Sequence, residues 1–152
     1  YLELARTTQA EPKVRFDLAG VLEEAAADAG LPWPGAAPCE IEAGRLALGQ
    51  IVSNLIQNAQ RYGGGTPVEL ALECTDKLAR VIVRDAGAGI PEDQLEKVFR
   101  PFYRLETSRS QATGGTGLGL AIVRQLAETN GWKVLLANRA AGGLEAVLEI
   151  RR

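Results

Sequence analysis

The chain has 152 residues, 46% of them hydrophobic, with 17 Lys and Arg against 19 Asp and Glu. That length and apolar content suit one domain with one core, and a formal charge of −2 argues against the basic surface that binding to nucleic-acid phosphates requires. Histidine is absent, which excludes Ser-His-Asp and Cys-His catalysis within the chain. Methionine is absent too, and with Tyr1 at the start the expectation is a piece of a longer protein. The cysteines, Cys39 and Cys74, form no C-x-x-C pair, so neither zinc nor a disulfide is expected; they read as small core residues in a reducing compartment. No apolar run approaches the ~20 residues that cross a bilayer, and no signal-peptide pattern opens the chain.

Tyr1 to Arg6, followed by polar residues up to Pro12, reads as the end of a helix and then a linker. Leu18, Val21, Leu22, Ala25, Ala26 and Ala29 recur at helical spacing behind Asp17, a suitable N-cap, and Gly30 ends that helix. Pro32-Trp33-Pro34 cannot be helical, and Cys39-Glu40-Ile41 predicts one short strand. The second helix runs from Leu46 to Tyr62. Leu48, Val52, Leu55, Ile56 and Ala59 form its apolar arc, while Gln50, Asn54, Asn58 and Arg61 fall on a narrow arc roughly opposite. A solvated face would account for the second arc, but a surface with no other demand would more readily carry Glu, Lys or Ala than two asparagines.

Gly63-Gly64-Gly65 stops that helix, and the alternating segments Pro67–Thr75 and Leu78–Asp85 predict an antiparallel hairpin turning at Asp76-Lys77. Asp85 arrives at a strand end, and Ala86-Gly87-Ala88-Gly89-Ile90-Pro91 follows as a glycine-rich turn that would present its carboxylate. Glu92–Phe99 predicts a short helix, Phe99, Phe102 and Tyr103 cluster, and Leu105–Gly114 predicts a mobile loop. Gly114-Gly115-Thr116-Gly117-Leu118-Gly119-Leu120 then runs into a third helix reaching about Thr129. Glycines let backbone approach an anion, and the helix start offers unpaired N–H groups and a positive dipole end. Lacking the lysine of a P-loop and the spacing of a dinucleotide fold, this loop by itself could equally be a flexible turn. Strands Trp132–Ala137 and Leu144–Ile150 close the chain around Gly142-Gly143.

Four of these segments agree in order and spacing, and together they resemble the catalytic, ATP-binding domain of bacterial sensor histidine kinases. Asn54-Leu55-Ile56-Gln57-Asn58-Ala59-Gln60-Arg61-Tyr62 is similar to the N box, and Asp85-Ala86-Gly87-Ala88-Gly89-Ile90 to the G1 box. Phe99-Arg100-Pro101-Phe102-Tyr103-Arg104 is similar to the F box, and Gly115-Thr116-Gly117-Leu118-Gly119-Leu120 to the G2 box. The resemblance covers roughly Phe16 to Ile150. It implies an α/β (α+β) two-layer sandwich of the Bergerat type, in the GHKL superfamily: a mixed, mostly antiparallel sheet backed by three helices, with a mobile ATP lid. Residues 16–152 would be the catalytic domain, and residues 1–15 a linker or stub of a preceding helical dimerisation domain.

By the same resemblance, Asp85 would accept a hydrogen bond from the adenine amino group, with Gly87, Gly89 and Ile90 lying close to the base. Asn58 would ligate Mg²⁺, Arg61 and Tyr62 would flank phosphates and sugar or base, and Gly115 to Leu120 would offer backbone N–H groups to the phosphates. Arg104 would reach the γ-phosphate. Asn54 stands where hydrolysing members of the superfamily carry a glutamate; an amide cannot act as a carboxylate base, which favours phosphoryl transfer over rapid hydrolysis and leaves Asn54 to position acceptor or metal water. Leu144 departs from the family pattern, which commonly has threonine after the paired glycines.

The implied activity is transfer of the γ-phosphoryl of ATP, with Mg²⁺, to a histidine on the kinase's own dimerisation domain and onward to a response regulator. The implied setting is the cytoplasmic part of an inner-membrane-anchored sensor, homodimeric at full length and monomeric as this fragment, with no nucleic-acid partner. Two alternatives stay open on sequence grounds: a nucleotide-sensing module without transfer, and an anti-sigma-type serine kinase of the same superfamily.

Overall fold

The computed structural model describes residues 11–103 and 119–152. The expected helix end before residue 11, the lid Leu105–Gly114, and the site candidates Arg104, Gly115, Thr116, Gly117 and Leu118 lie outside those residues. Strand β1, Val14–Asp17, runs directly into helix α1, Leu18–Ala29. The Asp17 carboxylate is the N-cap: Oδ1 accepts from Ala19 N at 3.0 Å and also from Cys39 N at 2.8 Å, so one side chain caps the helix and fixes the entry to the next strand. Gly30 at φ 70° closes α1 in the left-handed conformation expected of a terminal glycine.

Strand β2, Glu40–Ala43, pairs antiparallel with β1. No strand was expected over Val14–Asp17; four residues are too few for alternation to register, and the strand exists because β2 lies beside it. Helix α2, Arg45–Tyr62, follows Gly44. Its cap comes from far away in sequence, since the Glu11 carboxylate accepts from Leu46 N at 3.1 Å and Ala47 N at 2.6 Å. A Cβ on Gly44 would stand 2.7 Å from Glu11 Cγ, so glycine leaves room for that carboxylate.

The main sheet is antiparallel throughout, in the order β3, Glu69–Cys74; β4, Leu78–Arg84; β6, Leu144–Arg151; β5, Lys133–Asn138. One face supplies the core. Ala79, Val81 and Val83 of β4 pair with Ile150, Leu148 and Ala146 of β6, all buried, and meet Leu48, Ile51, Leu55 and Val52 of α2 and Val123 and Leu126 of helix α3, Gly119–Asn130. Each leucine, isoleucine or valine among them contributes about 1.5–3 kcal/mol on leaving water. On the opposite face, cross-strand partners Arg80 and Glu149, and Arg84 and Glu145, form ion pairs at 3.0 and 2.6 Å.

Two expectations need correction. Glu92–Phe99 is not one helix but two 3₁₀ turns, Glu92–Gln94 and Lys97–Phe99; Arg100 leaves them with ψ 141°, the extended conformation to which a following proline drives a residue. The cysteines are also paired: Cys39 and Cys74 form a disulfide, with Cα atoms 6.2 Å apart. Cys39 is fully buried, whereas Cys74 is exposed at the end of edge strand β3. The fold brings the start of β2 against that edge, a proximity that their 35-residue separation conceals.

Candidate nucleotide-binding site

Three segments converge at one end of the sheet: the C-terminus of α2, the loop after β4, and the turn between β5 and β6. Asp85, the residue after β4, is a buried carboxylate with 2% exposure. Its Oδ1 accepts from Gly87 N at 2.9 Å, which tightens the glycine turn, and from Leu144 N at 3.2 Å, which ties it to β6. Both bonds fall on Oδ1, and Oδ2 takes part in neither. A charged group so buried is held by hydrogen bonds in place of lost water.

Glycines set how closely the segments approach. A Cβ on Gly87 would lie 2.7 Å from Tyr62 O and 2.8 Å from Gly63 Cα, so the turn is pressed against the end of α2. Gly143, at φ 95°, leaves no room for a side chain because its Cβ would collide with the Asp85 carbonyl. Thr66 adds a further tie, its Oγ1 accepting from Ala86 N at 3.2 Å while donating to Gly63 O at 2.6 Å. Tyr62 and Asp85, placed apart in the sequence, thus flank one turn.

Asn54, Asn58, Arg61 and Tyr62 lie on α2 within the last turns before this junction. Asn54, Arg61 and Tyr62 are half-buried, but Asn58 is buried with 9% exposure. The arc assigned to it as opposite the apolar face needs refinement: at about 100° per residue Asn58 falls next to Ile51 and Leu55, at the edge of the buried face. A carboxamide there presents a neutral oxygen in a partly dry setting. Among the described residues no group of three or more His, Cys, Asp or Glu side chains could hold a metal by itself. One amide oxygen fits Mg²⁺, which takes oxygen ligands and commonly fills its remaining positions with phosphate and water.

Ile90 is buried at the far end of the glycine turn, and Gly89 precedes it with φ 78°. Of the glycine-rich motif before α3, Gly119 and Leu120 are described, as the first two residues of the helix; Leu120 is buried. The aromatic segment Phe99–Tyr103 is anchored to the same helix: Phe99 is buried, Arg124 stacks over its ring at 4.0 Å, and the guanidinium also grips Glu96 with two hydrogen bonds of 3.0 and 3.3 Å. That grip lowers the Glu96 pKa below its usual value, first through the hydrogen bond and then through the positive charge. Phe102, the last aromatic but one, takes φ 64°, an uncommon conformation for a residue with a side chain.

Residues 43–152 match the family model described as Histidine kinase-, DNA gyrase B-, and HSP90-like ATPase. The chain belongs to this ATPase family. Among its relatives, the signal transduction histidine-protein kinase BaeS of Escherichia coli is 36% identical over 107 residues, which is 70% of this chain and 23% of BaeS. The chain spans under a quarter of the length of curated relatives such as BaeS. The solved catalytic domain of histidine kinase ThkA, nucleotide-free, superposes with a TM-score of 0.78 at 27% identity over 93% of this chain and 96% of that one. Full-length ShkA in complex with AMPPNP superposes with a TM-score of 0.77 at 26% identity, over 97% of this chain and 33% of ShkA. The α+β architecture of this chain is accordingly that of the ATP-binding domains of histidine kinases.

The Asn138 and Arg139 contacts with the glycine turn were not anticipated. The sequence signal available was a polar pair at the end of a strand, just before paired glycines, and nothing in it points to residues 85–90.

Proposed function

We propose that this chain is the Mg²⁺·ATP-binding catalytic domain of a sensor histidine kinase and transfers the γ-phosphoryl to a histidine on a helical dimerisation domain outside residues 16–152. The observation that carries this reading is Asp85, a buried carboxylate at a sheet end with Oδ1 committed to two backbone N–H groups and Oδ2 outside both bonds. An acceptor so placed suits the adenine amino group and disfavours guanine, which carries an oxygen there. Gly87 and Gly89 admit the base, Ile90 packs beside it, and Arg61 and Tyr62 flank the nucleotide. Asn58 would hold Mg²⁺ through its amide oxygen, and the ion would supply neutralisation of phosphate charge. Gly115, Thr116, Gly117, Leu118, Gly119 and Leu120 hold the phosphate chain through backbone N–H groups.

Transfer breaks the bond between the γ-phosphorus and its bridging oxygen, forms a bond to an imidazole nitrogen and releases ADP. Asn54 orients the acceptor or metal water, and its amide offers no carboxylate base for hydrolysis. Arg104 stabilises charge on the transferred group. The phosphohistidine then supplies a response-regulator aspartate. In this reading the domain lies in the cytoplasmic part of a membrane-anchored sensor; among the described residues no helix is long and apolar enough to cross a membrane.

The test combines this chain, Mg²⁺ and γ-labelled ATP with the dimerisation domain of the same kinase. Acid-labile label should appear on the added domain and not on this chain, which has no histidine. Tight ATP binding without transfer would overturn the kinase assignment while sparing nucleotide binding.

A further inference from the structure

The β5–β6 turn grips the glycine turn of residues 85–90 at both ends. At one end the Asn138 carboxamide acts like a peptide group of a neighbouring strand: Oδ1 accepts from Ile90 N at 2.9 Å and Nδ2 donates to Ile90 O at 2.6 Å. Nδ2 also reaches Glu92 Oε1 at 3.2 Å. Gly89 makes this approach possible, because a Cβ there would collide with Asn138 Oδ1. At the other end the Arg139 guanidinium donates to the Asp85 carbonyl at 2.7 Å. The turn that follows Asn138 and carries Arg139 is itself closed, with Arg139 N donating to Gly143 O at 2.8 Å and Gly142 N to Arg139 O at 3.0 Å.

We infer that Asn138 and Arg139 are positioning residues for nucleobase selection: they set the height and tilt of the 85–90 turn, and through it the direction of the Asp85 carboxylate. The inference rests on the proposed role of Asp85 toward adenine. Between Asp85 and Pro91 the loop is glycine and alanine except for Ile90, so it has little side-chain packing to define its path. Beside the Thr66 bond to Ala86 N and the buried Ile90, external hydrogen bonds at its two ends supply that definition. Neither side chain need touch nucleotide for this role, so loss of either should blur the distinction between adenine and guanine as well as weaken binding.

The experiment measures ATP and GTP affinities by calorimetry, with thermal unfolding in the absence of nucleotide, for the parent, Asn138→Ala, Arg139→Ala and Arg139→Lys. Asn138→Ala and Arg139→Ala should each bind ATP about tenfold more weakly, or 1.4 kcal/mol, with a smaller change for GTP, so that the ATP/GTP ratio falls. Arg139→Lys keeps a cationic donor for the Asp85 carbonyl and should recover much of the ratio; the two Arg139 variants carry the test if Asn138→Ala does not fold. Parent-like ATP affinity in Arg139→Ala, or an unchanged ATP/GTP ratio in a variant that merely loses stability, would overturn the inference. A parent chain that does not prefer ATP over GTP would instead refute the adenine role of Asp85, so the two failures are distinguishable.

Discussion

In the proposed reading, Asp85→Asn separates recognition from folding, because Oδ1 takes both backbone bonds and Oδ2 is left for adenine. Asparagine keeps an oxygen at Oδ1, so the bonds from Gly87 N at 2.9 Å and Leu144 N at 3.2 Å survive. At the other position it substitutes an NH₂ for an acceptor, placing a donor against the adenine amino group. Loss of a hydrogen bond to a charged group costs about 1.5–3 kcal/mol, which weakens ATP binding roughly 10- to 150-fold. Asp85→Ala removes both backbone bonds as well and strands two N–H groups, a further cost to folding of about 1–3 kcal/mol for each group left buried. In a domain of this size each kcal/mol moves the melting temperature by roughly 2–4 °C. Calorimetry with ATP, paired with melting followed by circular dichroism, should therefore find Asp85→Asn weak in binding but close to the parent in Tm, and Asp85→Ala impaired in both. Parent-like ATP affinity in Asp85→Asn would refute the adenine assignment, and a large fall in its Tm would refute the division of labour between the two oxygens.

Asn58→Ala should remove much of the Mg²⁺ dependence of ATP binding, read by titrating ATP with and without magnesium; an unaltered requirement would reduce Asn58 to a packing residue. The Glu96 pKa is lowered in the folded state, so its stabilising contribution is present above the ordinary glutamate range and is lost as pH falls through the lowered folded value. With the Glu96 side chain 81% exposed the effect is small, and Glu96→Gln should flatten the acid limb of a urea-stability profile only slightly. Reducing the Cys39–Cys74 disulfide, or replacing Cys74 by Ser, releases a loop set by a 35-residue separation and should cost roughly 4 kcal/mol by chain entropy. Denaturant titrations with and without reductant measure it, and coincident curves for a chain shown by mass to be oxidised at the start and reduced by the treatment would contradict the chain-entropy stabilisation.

Local chemistry made a large part of this fold legible. Asp17 and Gly30 bound α1 where a capping oxygen and a left-handed glycine are needed, and the alternation of Val81 and Val83 against Arg80 and Arg84 placed β4 with its faces correctly assigned. Asp85 stood out as a candidate because a carboxylate at a strand end before a glycine-rich turn is often placed for a ligand. Strand β1 was not legible, nor was the split of residues 92–99 into two turns, because a four-residue strand depends on its neighbour and a short helix on the packing of the segments around it.

Periodicity and turn chemistry act between residues a few positions apart, and by themselves they determined the order of the three α-helices and of the main-sheet strands, the caps of α1 and the candidate residues on α2 and after β4. Contacts between distant segments were decided only by tertiary structure. Glu11 caps α2 from across the fold, Cys39 meets Cys74, and Asn138 and Arg139 hold residues 85–90 from the end of β5. Each depends on where the sheet and its covering helices bring two backbones together, and a hydrogen bond or disulfide of this kind leaves no periodic trace because its partners share no local spacing.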